Sequence, residues 1–166
     1  MSHVIVSSYA NAQSAYRKYR PRFVVSILEA DEGPTPRFDG LAPENHLVMS
    51  GNCSASAEGG KRCDKLVRFG ERWDRKEPIL IHCHQGACRS MAVAYILLCA
   101  AQPGASEAEI ARQMRNAAPH ADPNLLLISE ADALLERDDR MVEAILDLRP
   151  AAGAVCDDVV ALPLAG

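Results

Sequence analysis

The sequence predicts a three-layer α/β domain with a mainly parallel central sheet of about four to five strands. Four short segments rich in β-branched and apolar residues are each followed by a helix or a loop, and parallel strands require such crossover connections. The strand segments are nearly continuous in their apolar character, which is typical of a sheet covered on both faces. Four or five helical segments after the last strand could supply that cover.

The candidate elements follow one another along residues 4–148. Strands are predicted at residues 4–6, 23–28, 46–49 and 79–81. Helices are predicted at residues 9–19, 61–74, 91–101, 106–118, 122–134 and 138–148. Apolar residues at helical spacing indicate these helices, and a proline follows most of their ends. Residues 29–45 are rich in glycine, proline and acidic side chains, so we expect a long loop that either walls a substrate cleft or lies on the surface.

Three of the helices carry further signals. Ser106 and Glu109 form a capping-box pattern at the start of one helix. Asp122 is expected to cap the next helix, because Pro123 suits the first helical position. The helix at 91–101 is apolar on every side, so we expect it to be buried in the middle of the domain.

The composition indicates one globular domain. The chain has 166 residues, of which 48% are hydrophobic and 24% are charged, and this is enough to build a sizeable core. Residues 1–150 are expected to form the domain. The Ala-, Gly- and Pro-rich residues 151–166 are expected to pack on it as a tail or to be partly disordered.

Charge and hydropathy argue against several classes of function. The net charge of −4 and the scattered basic residues do not favour non-specific nucleic-acid binding. No run approaches the roughly 18 apolar residues of a membrane span, and the N-terminus does not resemble a signal peptide. The six cysteines show no CxxC spacing of a metal site, so a reducing cytoplasm is the simplest compartment. The sequence does not indicate an oligomeric state.

One segment concentrates residues that can perform chemistry. The strand at 79–81 leads into His82 and Cys83, and five residues separate this cysteine from Arg89 and Ser90. A loop of this length can curl round one tetrahedral oxyanion, with successive backbone N–H groups pointing inward and a helix N-terminus behind them. The residues expected to line this phosphate cradle are His84, Gln85, Gly86, Ala87, Cys88 and Arg89.

Each flanking residue has a chemical role in this interpretation. Cys83 is the candidate nucleophile, because the helix N-terminus, the arginine and a neighbouring histidine favour a thiolate. Arg89 can bind two phosphate oxygens with its planar guanidinium. Ser90 is placed to donate to the sulfur and to help it leave from a phosphocysteine, while His82 can orient the loop or stabilise the thiolate.

The pattern from His82 through Cys83 and Arg89 to Ser90 resembles the signature of the cysteine-based protein tyrosine and dual-specificity phosphatases. Gly86 matches a glycine of that signature. The resemblance, closest to short bacterial members, implies a tyrosine-phosphatase-like fold and hydrolysis of phosphomonoesters through a phosphocysteine, with no metal or other cofactor. Its implied substrates are phosphotyrosine or related phosphoproteins, or a small phosphoester.

Two further positions are interpreted through this resemblance. Dual-specificity phosphatases commonly carry a Pro-Asn pair that opens a late helix near the cradle, and Pro123 and Asn124 match it. Asn124 is therefore expected either to support the cradle or only to cap its helix. Cys88 either forms a reversible disulfide that protects Cys83 from over-oxidation or is a small buried residue.

The sequence departs from the family at the general acid. Phosphatases of this kind usually carry an aspartate in the loop after the third strand, where this chain has Asn52 and Cys53. Glu58, Asp64 or Asp39 could replace it from mobile loops. The alternative function is a phosphate-binding pseudophosphatase with weak turnover. Sulfur transfer or arsenate reduction through the nucleophilic cysteine is a third and less favoured hypothesis.

Overall fold

The computed structural model describes residues 3–50, 59–148, 150–151, 153 and 159–164. The described strands are β1 (His3–Ser8), β2 (Phe23–Leu28), β3 (His46–Ser50), β4 (Ile79–Cys83) and β5 (Val159–Pro163). The described helices are α1 (Ala12–Tyr19), α2 (Gly59–Glu71), α3 (Arg89–Ala101), α4 (Glu107–Ala117), α5 (Leu125–Leu134) and α6 (Arg140–Leu146), with a short 3₁₀ turn at Pro43–Asn45.

The strands form one five-stranded sheet in the order β3-β2-β4-β1-β5. β4 pairs in parallel with β1 on one side and with β2 on the other, so it lies at the centre of the sheet. β5 adds an antiparallel edge strand to β1. The mainly parallel α/β sheet predicted from the sequence is confirmed, and β5, which lies in the segment expected to form a tail, is an additional strand.

Helices cover the sheet on both faces. On one face α1 and Phe38 bury a small apolar cluster against Ile5, Val24 and Leu80. On the other face the larger core joins the sheet to helices α2 to α6. Residues 90–99 of α3 are all buried in this layer, as the apolar character of that helix predicted. The two clusters and the sheet between them make the predicted three layers.

The helix bounds differ from the predicted ones where tertiary contacts compete with local signals. α1 begins three residues later than expected, and the backbone N–H of Tyr9 binds the carbonyl of His84 in the cradle loop. The predicted cap at Asp122 is wrong. The N-cap of α5 is Asn124, whose Oδ1 accepts the N–H of Leu127 at 3.0 Å, because the Asp122 N–H binds the carbonyl of Ala87. The Ser106 cap of α4 is confirmed, since its Oγ accepts the Glu109 N–H.

None of the helices in the part of the chain that the structure describes is long and apolar enough to cross a lipid bilayer.

Candidate active site

The cradle lies at the carboxyl end of the central strand, where ligands of parallel α/β sheets usually bind. Cys83 is the last residue of β4 and Arg89 is the first residue of α3, so residues 84–88 form the whole connection. The strand is buried along its length, and Cys83 is 1% exposed. The sulfur therefore lies at the base of the loop, between two rigid elements.

Three backbone hydrogen bonds hold the outer side of the loop. The carbonyl of His84 accepts the N–H of Tyr9 at 3.1 Å, and the carbonyl of Ala87 accepts the N–H of Asp122 at 3.0 Å. The carbonyl of Cys88 accepts the N–H of Asn124 at 3.3 Å. In a trans peptide the C=O and the following N–H point in opposite directions. The N–H groups that follow these three carbonyls therefore face the inner side of the loop, as an anion cradle requires.

Gly86 allows the loop to close. Its φ of +77° lies in the left-handed region that favours glycine. A Cβ atom there would lie 2.8 Å from the backbone C of Ser7 and the backbone N of Ser8, which are parts of β1 and cannot rotate away. The glycine of the signature is thus required both by backbone conformation and by the close approach of the neighbouring strand.

The Cys83 sulfur contacts two groups suited to a thiolate. The N–H of Gly86 donates to Sγ at 3.2 Å, and the Oγ of Ser90 lies 3.1 Å from Sγ. Ser90 is fully buried in the first turn of α3, so its hydroxyl cannot turn to solvent. This arrangement brings together the nucleophile and the hydroxyl that the sequence analysis placed beside it.

Arg89 is paired with carboxylates that the sequence analysis missed. Its Nη1 donates to Glu32 Oε2 at 2.8 Å, and its Nη2 donates to Glu32 Oε1 at 2.5 Å. Glu29 Oε1 lies 3.8 Å from the same Nη1. We name Glu29 and Glu32 the carboxylate latch. The hydrogen bond with Arg89 lowers the pKa of Glu32 to about 2, although partial burial opposes the shift.

A signal for the latch was present in the sequence. β2 and β4 are parallel neighbours, so the residues after Leu28 and those after Cys83 meet at one edge of the sheet. Acidic residues directly after a buried strand were therefore candidates for the site. The strand order that makes β2 the neighbour of β4 comes from the tertiary structure.

His82 points away from the sulfur, into the layer of α1. Its Nε2 lies 2.6 Å from Ser26 Oγ, which in turn lies 2.8 Å from His46 Nε2. Burial, with a smaller contribution from the nearby His46, lowers the pKa of His82 to about 4. The imidazole is consequently neutral near pH 7. It can stiffen the end of β4 across three strands, but it brings no positive charge to a thiolate.

The remaining predicted residues differ in how they contact the cradle. Asn124 contacts the loop through its backbone, while its side chain caps α5. His84 and Gln85 are exposed at the rim, and Cys88 is partly exposed. No disulfide joins Cys83 to Cys88 in the structure, so their reversible disulfide stays a prediction. Among the described residues, no group of three or more His, Cys, Asp or Glu side chains is arranged to hold a metal ion.

The candidates for the missing acid do not converge on the cradle in the described part of the chain. Asp64 lies on α2 and pairs with Arg68 at 2.9 Å. Asp39 lines a hollow with α1 residues and Pro21, toward the opposite edge of the sheet. Asn52, Cys53 and Glu58 lie outside the described residues. The general acid stays unassigned.

Comparisons with known proteins identify the fold. No protein-family model matches the sequence, and no curated protein sequence matches it. Among solved structures, the human tyrosine phosphatase-like serine/threonine/tyrosine-interacting protein superposes with a TM-score of 0.64 at 14% identity, covering 82% of this chain and 97% of that one. Human DUSP28 superposes with a TM-score of 0.61 at 20% identity, covering 81% and 88%. This chain has the fold of the tyrosine and dual-specificity phosphatases.

A third solved structure supports the same fold. Cydia pomonella PTP-2 phosphatase superposes with a TM-score of 0.58 at 19% identity, covering 78% of this chain and 83% of that one. Identities this low establish a shared phosphatase fold, and a fold can carry more than one function. The activity must therefore be argued from the residues of the cradle.

We predict that Gly86→Ala weakens binding of inorganic phosphate at least about tenfold, because the methyl group must displace the loop or the backbone of β1. Gly40→Ala is the matched control. It also has positive φ, at +82°, but its Cβ would meet no atom within 4 Å. Calorimetric titration of both variants with phosphate measures the difference, and equal affinities would contradict the assigned role of Gly86.

We predict that His82 makes the protein less stable as the pH falls. The unfolded chain binds a proton to this histidine below about 6.5, whereas the folded protein does so below about 4. The free energy of unfolding should therefore decrease between these values, by up to about 1.4 kcal/mol per pH unit. Urea unfolding of wild type and His82→Gln at pH 7, 6 and 5 tests this, and the variant should show the smaller slope. Identical slopes would refute the assignment.

Proposed function

We propose that this protein is a cysteine-dependent phosphatase that hydrolyses phosphomonoesters through a phosphocysteine intermediate. The observation that carries the proposal is the geometry at Cys83, whose Sγ accepts the Gly86 N–H at the base of a closed loop. The same loop ends at Arg89, in the first turn of a buried helix. Phosphotyrosine or another phosphoprotein residue is the substrate that we favour, with small phosphoesters as the broader class.

The first step transfers the phosphoryl group to sulfur. Cys83 Sγ attacks phosphorus from the base of the cradle, the S–P bond forms, and the bond from phosphorus to the leaving oxygen breaks. The loop N–H groups and the guanidinium of Arg89 stabilise the charge on the equatorial oxygens. The leaving oxygen takes a proton from an acid or departs as an anion when its own pKa is low.

The second step hydrolyses the phosphocysteine and regenerates the enzyme. Water attacks phosphorus and a P–O bond forms as the water gives a proton to the solvent. The S–P bond breaks, which yields inorganic phosphate and the Cys83 thiolate. Ser90 supports this step, because its Oγ lies 3.1 Å from Sγ and can donate a hydrogen bond to the departing sulfur. Neither step consumes a cofactor.

One observation favours a second function, a phosphate-binding protein with weak turnover. Arg89 is already paired with Glu32, and neither Asp39 nor Asp64, the described candidates for the general acid, is placed at the cradle. A pseudophosphatase would bind phosphate after displacing or sharing this pair, yet it would hydrolyse esters slowly. One structural neighbour is itself named tyrosine phosphatase-like and an interacting protein.

We predict that Cys83→Ser abolishes hydrolysis of 4-nitrophenyl phosphate, with a loss of about 10⁴-fold or more, because the nucleophile is removed. Cys63→Ser is the matched control. Cys63 is buried on α2, where its thiol donates to the carbonyl of Leu127 at 3.7 Å, and it is not part of the cradle. The hydrolysis rates of wild type and of both variants, measured under reducing conditions, test this prediction. Equal activity of wild type and Cys83→Ser would exclude the phosphocysteine mechanism.

The leaving group distinguishes the two functions. A phosphatase with a general acid should hydrolyse both 4-nitrophenyl phosphate and a phosphotyrosine peptide. A cradle without an acid should be slower on the peptide by about 10²–10⁴-fold, the usual contribution of proton donation. If neither ester is hydrolysed while inorganic phosphate binds, the protein is a binding module.

A further inference from the structure

The carboxylate latch places two negative charges beside Arg89, the arginine that binds the phosphoryl group in the proposed function. Glu32 contacts both terminal nitrogens of Arg89, and Glu29 lies 3.8 Å from one of them. The side chains of Arg89 and Glu32 are 15% and 17% exposed, so solvent screens their pair only partly. The local charge at this side of the cradle is negative before any substrate binds.

The two latch residues are not equivalent. Glu32 is held from both sides, because its Oε2 also accepts the backbone N–H of Glu29 at 2.8 Å. Glu29 lies farther from Arg89, at 3.8 Å, and its side chain is 33% exposed. Glu32 therefore determines where the guanidinium lies, while Glu29 is the more exposed carboxylate and can change partner.

The guanidinium can bind phosphate while it remains paired with Glu32. Glu32 accepts hydrogen bonds from Nη1 and Nη2, and the Nε–H group is not part of that pair. An arginine presents a second two-pronged face along Nε and one terminal nitrogen. A phosphoryl group bound on this second face shares the guanidinium with Glu32, and Glu29 lies 3.8 Å from Nη1 of the same group. Because like charges at such distances repel in a partly screened site, the latch opposes binding of a phosphate dianion.

A positive charge on the substrate would remove this repulsion. A cation beside the phosphate can pair with Glu29, while Arg89 keeps Glu32 and binds the phosphoryl oxygens through its second face. Each charge in the cleft then gains an opposite partner. Asp122 adds an acidic residue to the described part of the rim, because it is exposed where its backbone binds the loop. The two other exposed rim residues are His84 and the neutral Gln85.

We propose that Glu29 and Glu32 select phosphate groups that carry a positive charge beside them, so that phosphopeptides with lysine or arginine next to the phosphorylated residue are preferred over peptides flanked by acidic residues. The inference rests on the proposed function, since it names the substrate class of the same cradle. The two carboxylates repel polyanionic phosphoesters and attract phosphoesters that carry a cation, and both effects contribute to the selectivity.

The test uses three phosphotyrosine peptides that differ only in the two flanking residues, which are lysine, glutamine or glutamate. Wild type should show kcat/KM at least tenfold higher for the lysine peptide than for the glutamate peptide at low salt. The ratio should shrink as salt screens the charges. Glu29→Gln should reduce the ratio to a few-fold or less, while Glu71→Gln, an exposed change at the end of α2 away from the cradle, should keep it.

Binding to the Cys83→Ser variant separates this inference from the proposed function. If that variant binds the lysine peptide more tightly while the wild type hydrolyses nothing, the selectivity stands and the phosphatase function fails. If 4-nitrophenyl phosphate is hydrolysed but the three peptides bind and react equally, the selectivity is refuted and the phosphatase function stands. A lysine preference that survives unchanged in Glu29→Gln also refutes the role of the latch.

Discussion

The burial of α3 against the sheet is the constraint on which the site depends. Ten consecutive residues of this helix are buried, so its first turn cannot shift without breaking the core. β4 is equally buried at the other end of the loop. The five connecting residues therefore run between two rigid elements, and hydrogen bonds from Tyr9, just after β1, and from Asp122 and Asn124, just before α5, hold them from outside. A binding site for a small anion needs this rigidity, because its N–H donors must be in place before the ligand arrives.

Charge at Arg89 is balanced by the protein itself. A guanidinium held at 15% exposure needs an opposite charge or ordered hydrogen bonds, and Glu32 supplies both. The same pair stabilises the resting site and keeps a negative charge beside the place where an anionic ligand binds. Affinity for phosphate in this cradle thus depends on the balance between attraction to Arg89 and repulsion from the two carboxylates, and small changes in nearby charge can alter that balance.

The other face of the sheet shows how a signature residue can be structural. His82 is fully buried, and its hydrogen bond to Ser26 continues to His46 on β3. The chain of side chains crosses β4, β2 and β3, so it links the strand that carries the nucleophile to the edge of the sheet. Burial keeps this histidine neutral. Its neighbour in sequence, Cys83, points to the opposite layer, because side chains alternate along a strand.

Local sequence by itself determined four of the strands, the buried α3 and the loop from Cys83 to Ser90. The signals for these features are the spacing of apolar residues, the position of a glycine and the residues that begin a helix, and each acts over a few residues. Only the tertiary structure decided the features that join distant segments. The edge strand β5 forms because β1 offers an open edge, and α5 starts at Asn124 because the preceding backbone binds the loop. The pairing of Glu32 with Arg89 depends on β2 lying beside β4, and strand order is a property of the whole sheet that no local pattern encodes.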